Sequence, residues 1–263
     1  WPVIKLMVFA SLASPLLVPL RAPNMIVEAV GPTTGGKTTG MRIAQSCWRS
    51  GAFPIQTWNN TVNGFEAKAH VNTDMPLFID DTKTAIDQGK GSNVAKVIYQ
   101  HVSGRGRGRA ARDGGQRATQ IWRSIMISTG EVQASDLAKA EGAATRVLSM
   151  WSNPTGKTTP ETAKKIDRIE KMTSHSYGHA GRRMVQWLCK HREKWPHLIK
   201  LYENVATSIR EEFGSTAASR LAKVIAILEV SSYVASSAGI VPWEFKPLLE
   251  DERIRKVLTE SIA

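Results

Sequence analysis

The chain has 263 residues, 42% of them hydrophobic and 22% charged; that balance excludes a disordered chain and allows one large core or two modest ones. The net charge of +12 points towards a polyanionic partner, although a basic surface alone also suits a solvated protein with no binding role. The two cysteines, Cys47 and Cys189, each read as alone in a helical, apolar context, which argues against a disulfide framework or thiolate metal site and makes a reducing, cytoplasmic compartment the default.

Residues 1 to 20 are strongly apolar, but Pro15 and Pro19 interrupt the run and Lys5 lies inside it. They read as a buried helix packed on a sheet, not as a membrane span; a chain opening on Trp1 is also compatible with being a fragment of something longer. Met25 to Val30 is an apolar, β-branched strand, followed at once by Gly31-Pro-Thr-Thr-Gly-Gly-Lys-Thr-Thr39. The spacing fits G-x-x-x-x-G-K-[ST], with strand before and helix after, the context that marks a nucleotide-phosphate loop. In such a loop the backbone N–H groups of Gly31, Thr34, Gly35, Gly36 and Thr39 surround phosphate oxygens. Lys37 neutralises the β and γ oxygens, and the Thr38 hydroxyl ligates Mg²⁺. A helix over 38 to 48 adds its positive N-terminal end.

A short strand is expected over 54 to 58, a helix over 63 to 70, and an apolar strand over 76 to 81 that ends in Asp80-Asp81. A carboxylate at such a strand end holds the Mg²⁺ that bridges the β- and γ-phosphates, and Asp80 takes that role. Asp81 is placed to orient or deprotonate the attacking water, or merely to cap the next segment of chain. Residues 93 to 102 carry helical periodicity. Residues 103 to 120 concentrate the positive charge: Arg105, Arg107 and Arg109 alternate with small residues, Arg112 lies beyond them, and Asp113-Gly114 signals a hairpin tip. An extended ribbon puts the first three arginines on one face, where they contact phosphates without reading bases; a Gly-Arg loop that binds RNA and a solvated charge run are the other readings.

Strand character returns over 121 to 128 and ends in Ser128-Thr129-Gly130-Glu131. Thr129 is read as a sensor of the γ-phosphate, with an ordinary helix cap as the alternative. A further helix and a strand over 146 to 150, opened by Arg146, complete a strand–helix alternation, the mark of a parallel α/β sheet. An arginine there either reaches a neighbouring subunit's nucleotide or is simply solvated. Residues 153 to 160 form a candidate boundary, so 1–152 read as the ATPase core and 153–263 as an appended helical subdomain, with helices near 161–173, 178–193, 197–213 and 216–238. The stripe Leu221, Val224, Ile225, Leu228 serves packing. His175 and His179 fall four apart without a third ligand and read as polar turn residues.

Taken in order, these motifs resemble a known family. They are the phosphate loop, Thr57 to Glu66, Leu77 to Asp81, Gly104 to Asp113, Trp122 with Ser128 to Glu131, Tyr177 to Gly181 and the helix from Ala218. The family is the helicase-like domain-of-unknown-function family of phage, plasmid and mobile-element replication proteins, AAA+ ATPases related to MCM-like and superfamily 3 helicases. The resemblance runs from about Ala10 to Trp243. It implies an AAA+ core with a helical lid, ATP and Mg²⁺ as cofactors, and a homo-oligomeric ring of six subunits that threads single-stranded or forked DNA past the arginine hairpin. By position, Arg146 corresponds to the arginine finger and Arg182 or Arg183 to the second sensor. A primase, polymerase or loader would be its partner, and no membrane is involved. The family usually carries Asp-Glu where this chain has Asp80-Asp81, and the shorter acid implies slower hydrolysis. The reading is an ATP-driven motor on DNA. Its rivals are a nucleotide-switched defence or assembly ATPase that binds nucleic acid without unwinding it, and a small-molecule kinase, which the arginine ribbon disfavours.

Overall fold

A computed structural model describes residues 1–33, 35–81, 91–108, 115, 118–137, 147–156 and 159–262. Five strands form one parallel sheet: β1 (Met25–Val30), β2 (Gln56–Thr57), β3 (Leu77–Asp80), β4 (Ile125–Gly130) and β5 (Val147–Trp151), in the order β2-β3-β4-β1-β5. Because strand side chains alternate between faces, β1, β3, β4 and β5 each feed two cores. Met25, Val27, Ala29, Phe78, Ile125, Ile127, Leu148 and Met150 enter one, whereas Ile26, Leu77, Ile79, Met126 and Val147 enter the other. Both faces are covered by helices, as an all-parallel sheet requires.

The first core is roofed by α1 (Pro2–Ala13) and α2 (Lys37–Ser46). Nine of the twelve residues of α1 are buried, which identifies a helix apolar all round as interior. Ser11 donates to the Ala44 carbonyl at 2.7 Å, and the Ser231 hydroxyl to the Phe9 carbonyl at 2.7 Å, so α1 is clasped from two sides. The second core is filled from α3 (Val62–Val71) and α4 (Gly91–Ser103), through Phe65, Ala69, Val94, Val97 and Ile98, with Trp122 beside them. A short helix, α5 (Ala134–Leu137), comes after β4. The helices of the C-terminal part are α6 (Pro160–His175), α7 (His179–Lys190), α8 (Trp195–Phe213), α9 (Thr216–Ser237) and α10 (Glu252–Ile262). No strand occurs after β5 among the described residues. The stripe Leu221, Val224, Ile225, Leu228 is buried, and the first core runs without interruption from the sheet through α1 into α7, α8, α9 and α10. Residue 153 therefore marks where strands end, while the apolar interior continues across it. No described helix is long and apolar enough to cross a membrane.

Three details differ from the sequence reading. The strand expected from Ile121 starts at Ile125. Ile121 instead bridges Arg105 in antiparallel fashion, and Asn24 accepts from the Ser124 N–H at 3.1 Å where the parallel pairing begins. Helix α10 was not expected, although Ile254, Val257, Leu258 and Ile262 form its buried stripe. Cys47 is buried, but Cys189 is exposed on α7.

One buried charge sits beneath the phosphate-loop strand. Both Glu28 carboxylate oxygens accept the Ala134 N–H at 3.1 Å, and one accepts the Ser149 hydroxyl at 2.9 Å. Burial nevertheless pushes the carboxyl up from 4.5 to about 7. Between those values the native state binds the proton that the unfolded chain has lost, so this group's contribution to stability is complete below 4.5 and is lost as pH rises through 7. Glu28→Gln is expected to stabilise the fold by a few kcal/mol at pH 8 and to change it little at pH 4. Urea unfolding at the two pH values measures the difference; equal effects at both would contradict the assignment.

Candidate nucleotide site and basic ribbon

The loop after β1 leaves an internal strand of the sheet, between β4 and β5, at the carboxyl ends of the strands, where open α/β sheets bind ligands. Two glycines are obligatory there. A Cβ on Gly31 would stand 2.5 Å from the Ser152 carbonyl oxygen, and Gly36, at φ +77°, caps α2 with its α-carbon pressed against Thr155, which a Cβ would meet at 2.2 Å. The loop is thereby held against the segment after β5, and the first N–H groups of α2 point out of it.

A cavity of about 470 Å³ opens at this point. It gathers Gly35, Gly36, Lys37, Thr38 and Thr39 from the loop and α2, Asp80 and Asp81 from the end of β3, and Thr129 and Glu131 from the end of β4. Lys37 Nζ donates to the carbonyls of Gly31 at 2.7 Å and Pro32 at 2.6 Å. Burial holds its pKa below the usual lysine value, against the opposing pull of Glu131, Asp80 and Asp81. The Asp80 carboxylate is bracketed: Thr38 Oγ1 donates to one oxygen at 3.1 Å and Thr129 Oγ1 to the other. Asp81, at φ +63°, leaves the strand in the left-handed region and so turns away from the sheet register.

Of the residues read from sequence for this site, Gly35, Gly36, Lys37, Thr38, Asp80, Asp81 and Thr129 are brought together. Thr39 lines the cavity, yet its hydroxyl donates to Glu170 of α6 at 3.1 Å, and Arg42 pairs with the same carboxylate at 3.4 Å. Thr34 and Arg146 lie outside the described residues. Arg182 and Arg183 are exposed on α7 and do not line the cavity; the Arg183 guanidinium lies by Gly239, past the end of α9. His175 ends α6 and His179 begins α7, and no cluster of metal-ligating side chains occurs among the described residues. Sequence reasoning did not single out Glu131, which accepts a hydrogen bond from the Thr33 hydroxyl, nor Glu170. For Glu131 the signal was its place directly after the Thr129-Gly130 strand end; for Glu170 there was none.

The donor set suits Mg²⁺. Asp80 and Thr38 offer a carboxylate and a hydroxyl to a cation that prefers oxygen and keeps most of its shell for phosphates and water.

On another part of the surface, the base of the predicted ribbon is present. Gly106 N–H donates to the Gln120 carbonyl at 2.8 Å and Trp122 N–H to the Gly104 carbonyl at 2.9 Å, flanking the Arg105–Ile121 bridge. Arg105 and Arg107 are exposed on either side of Gly106. Buried Glu66 of α3 accepts the Arg107 N–H at 3.3 Å and the Gln100 amide at 2.8 Å, which fixes the ribbon to α3 and α4. Tyr99, 49% exposed, shares a hollow of about 400 Å³ with Lys96, Arg105 and Arg107. Arg109, Arg112 and the Asp113-Gly114 turn lie outside the described residues.

Residues 2–120 match the model of a family described as a domain of unknown function, DUF927. No curated protein matches the chain. Among solved structures, the chain is similar to one titled "SCCmec type IV Cch - active helicase", at 16% identity and a TM-score of 0.75 over 99% of this chain and 47% of that one. The chain thus spans about half the length of that neighbour, and the likeness shows a shared fold. A structure titled "The X-ray structure of JCV Helicase" matches at 12% identity with a TM-score of 0.38, over 82% of this chain and 66% of that chain, too low a likeness to carry an inference.

Proposed function

We propose that this chain is the motor domain of an ATP-dependent DNA helicase or translocase, an AAA+ ATPase that works as a hexameric ring on single-stranded DNA in the replication of a mobile element, phage or plasmid. The observation that carries the reading is the bracketed carboxylate: Asp80 is held between Thr38 of the phosphate-loop helix and Thr129 of the neighbouring strand, within one cavity with Lys37. That constellation suits a triphosphate whose cleavage must be sensed across the sheet.

In this reading the loop N–H groups and Lys37 hold the β- and γ-phosphates. Thr38 and Asp80 would hold Mg²⁺, which supplies charge neutralisation for those phosphates. Asp81 orients the attacking water and accepts its proton as the water oxygen bonds to the γ-phosphorus and the bond to the β,γ-bridging oxygen breaks, releasing ADP and phosphate. Thr129 reports the change through Asp80. Arg146 is the finger, and Arg182 or Arg183 the second sensor. Because the α7 arginines do not line their own subunit's cavity, they fit a role at a neighbour's nucleotide. The 1–152 core and 153–263 lid would then act together as one subunit, joined by the apolar interior that runs across residue 153.

The ribbon is the DNA contact, with Tyr99 as a stacking platform beside it. Single-stranded DNA is expected to stimulate ATP turnover. Arg105→Ala with Arg107→Ala should remove that stimulation while leaving basal turnover intact, and Tyr99→Ala should weaken binding about tenfold. Four ribbon arginines on phosphates give a log–log salt slope of about −3 per subunit engaged. A salt-independent affinity, or stimulation that survives the double substitution, would remove the ribbon from the DNA path. Strand displacement on a forked duplex separates a helicase from an ATPase switch that binds without unwinding.

A further inference from the structure

We infer that the nucleic-acid path does not stop at the ribbon but continues along the amino-terminal ends of the strands into a second phosphate site formed by Arg21, Arg220 and Lys223. The three side chains line one hollow of about 340 Å³ between the turn before β1 and the first turns of α9. All three are exposed, and none has an ion-pair partner among the described residues. Ala22, Pro23 and Asn24 line this hollow and also the next one, which in turn shares Ser103 with the hollow of Lys96, Tyr99, Arg105 and Arg107. Arg123, paired with Asp74, lines the middle hollow, and among the described residues no carboxylate lines any of the three. Asn24 joins the two ends physically. Its amide donates to the carbonyls of His101 at 2.8 Å and Trp122 at 3.2 Å, at the base of the ribbon.

Arg21 adds an independent observation. It occupies the left-handed position that ends the turn after Leu17, at φ +49°, with its N–H donating to the Val18 carbonyl and that of Ala22 to Leu17. Glycine adopts that backbone without strain. An arginine there is the costlier residue for the fold, and what it adds is a cation at the hollow. Three cations without acidic partners, continuous with a ribbon that touches phosphates, suit the phosphodiester backbone of a single strand, read for charge and not for sequence.

The inference rests on the reading that the ribbon binds single-stranded DNA, and the test separates the two. Binding of a long oligo-dT to the full chain is measured against salt for the parent protein, for Arg21→Gly/Arg220→Gln/Lys223→Gln, and for Arg105→Ala/Arg107→Ala. The triple variant should bind at least tenfold more weakly, with a salt slope shallower by about 2. It should keep its basal ATP turnover, and the melting temperature of Arg21→Gly alone should equal or exceed the parent's. If the triple variant binds with the parent's affinity and slope while the ribbon variant is impaired, the second site is overturned and the ribbon stands. If the parent itself ignores oligo-dT, both fall; if an acidic polypeptide such as polyglutamate competes as well as oligo-dT at equal charge, the site is a general anion patch and the inference is overturned.

Discussion

Lys37→Ala is expected to yield a folded chain that has lost ATP. The amine reaches back to the Gly31 and Pro32 carbonyls, at the mouth of the phosphate loop. Phosphate oxygens that enter the loop would exchange those carbonyls for charged acceptors in a partly buried setting, where removing one partner of a charged, hydrogen-bonded pair costs about 2–5 kcal/mol. Affinity should therefore fall by about one and a half to three and a half orders of magnitude. The fold should not suffer, because burial already holds the ammonium at a disadvantage and the loop is shaped by its glycines and by the Thr155 N–H donated to the Gly35 carbonyl at 3.3 Å. Calorimetric titration with ATP and magnesium, paired with a thermal melt, checks both halves. A variant that binds ATP as the parent does would move the phosphates elsewhere.

Arg146→Ala should spare nucleotide binding and reduce turnover by about 10³ to 10⁵, the range over which a finger acts. The residue directly precedes β5, the edge strand beside β1. If it serves a neighbour, the two variants should complement each other. A Lys37→Ala subunit keeps its finger but has no nucleotide, and an Arg146→Ala subunit holds nucleotide but lacks the finger. Mixing them should restore part of the turnover that neither has alone, with the amount depending on the mixing ratio. Full turnover by Arg146→Ala in isolation would refute the finger, and failure of complementation in a proven mixed assembly would refute its action across subunits.

The parts of the site legible in the sequence are those encoded by short spacing. The loop from Gly31 to Thr39, the acids closing Leu77 to Asp80, and Thr129 at the tip of β4 each announce themselves through an apolar run that ends in a polar residue. The antiparallel start of the ribbon was legible too, since Gly104 and Gly106 alternate with arginines. The hidden parts depend on distant packing. Glu28 looks like an interruption in a strand, and only the placement of α5 and β5 explains how its oxygens are satisfied. Glu170 reaches the phosphate-loop helix from 131 residues away. The run from Ile121 to Ser128 has uniform strand character, yet Asn24, a hundred residues earlier, divides it into a ribbon edge and a sheet strand. Helix α10 carried a readable stripe, but its core partners on α1 and β5 give that stripe its reason.

The most direct measurement is ATP turnover by the purified chain with magnesium, with and without single-stranded DNA, alongside binding of ATP at equilibrium. Saturable, magnesium-dependent binding with turnover that rises on adding DNA is the expected result. A chain that fails to retain ATP, or that hydrolyses it with indifference to nucleic acid, would contradict the coupling of the phosphate loop to the arginine ribbon.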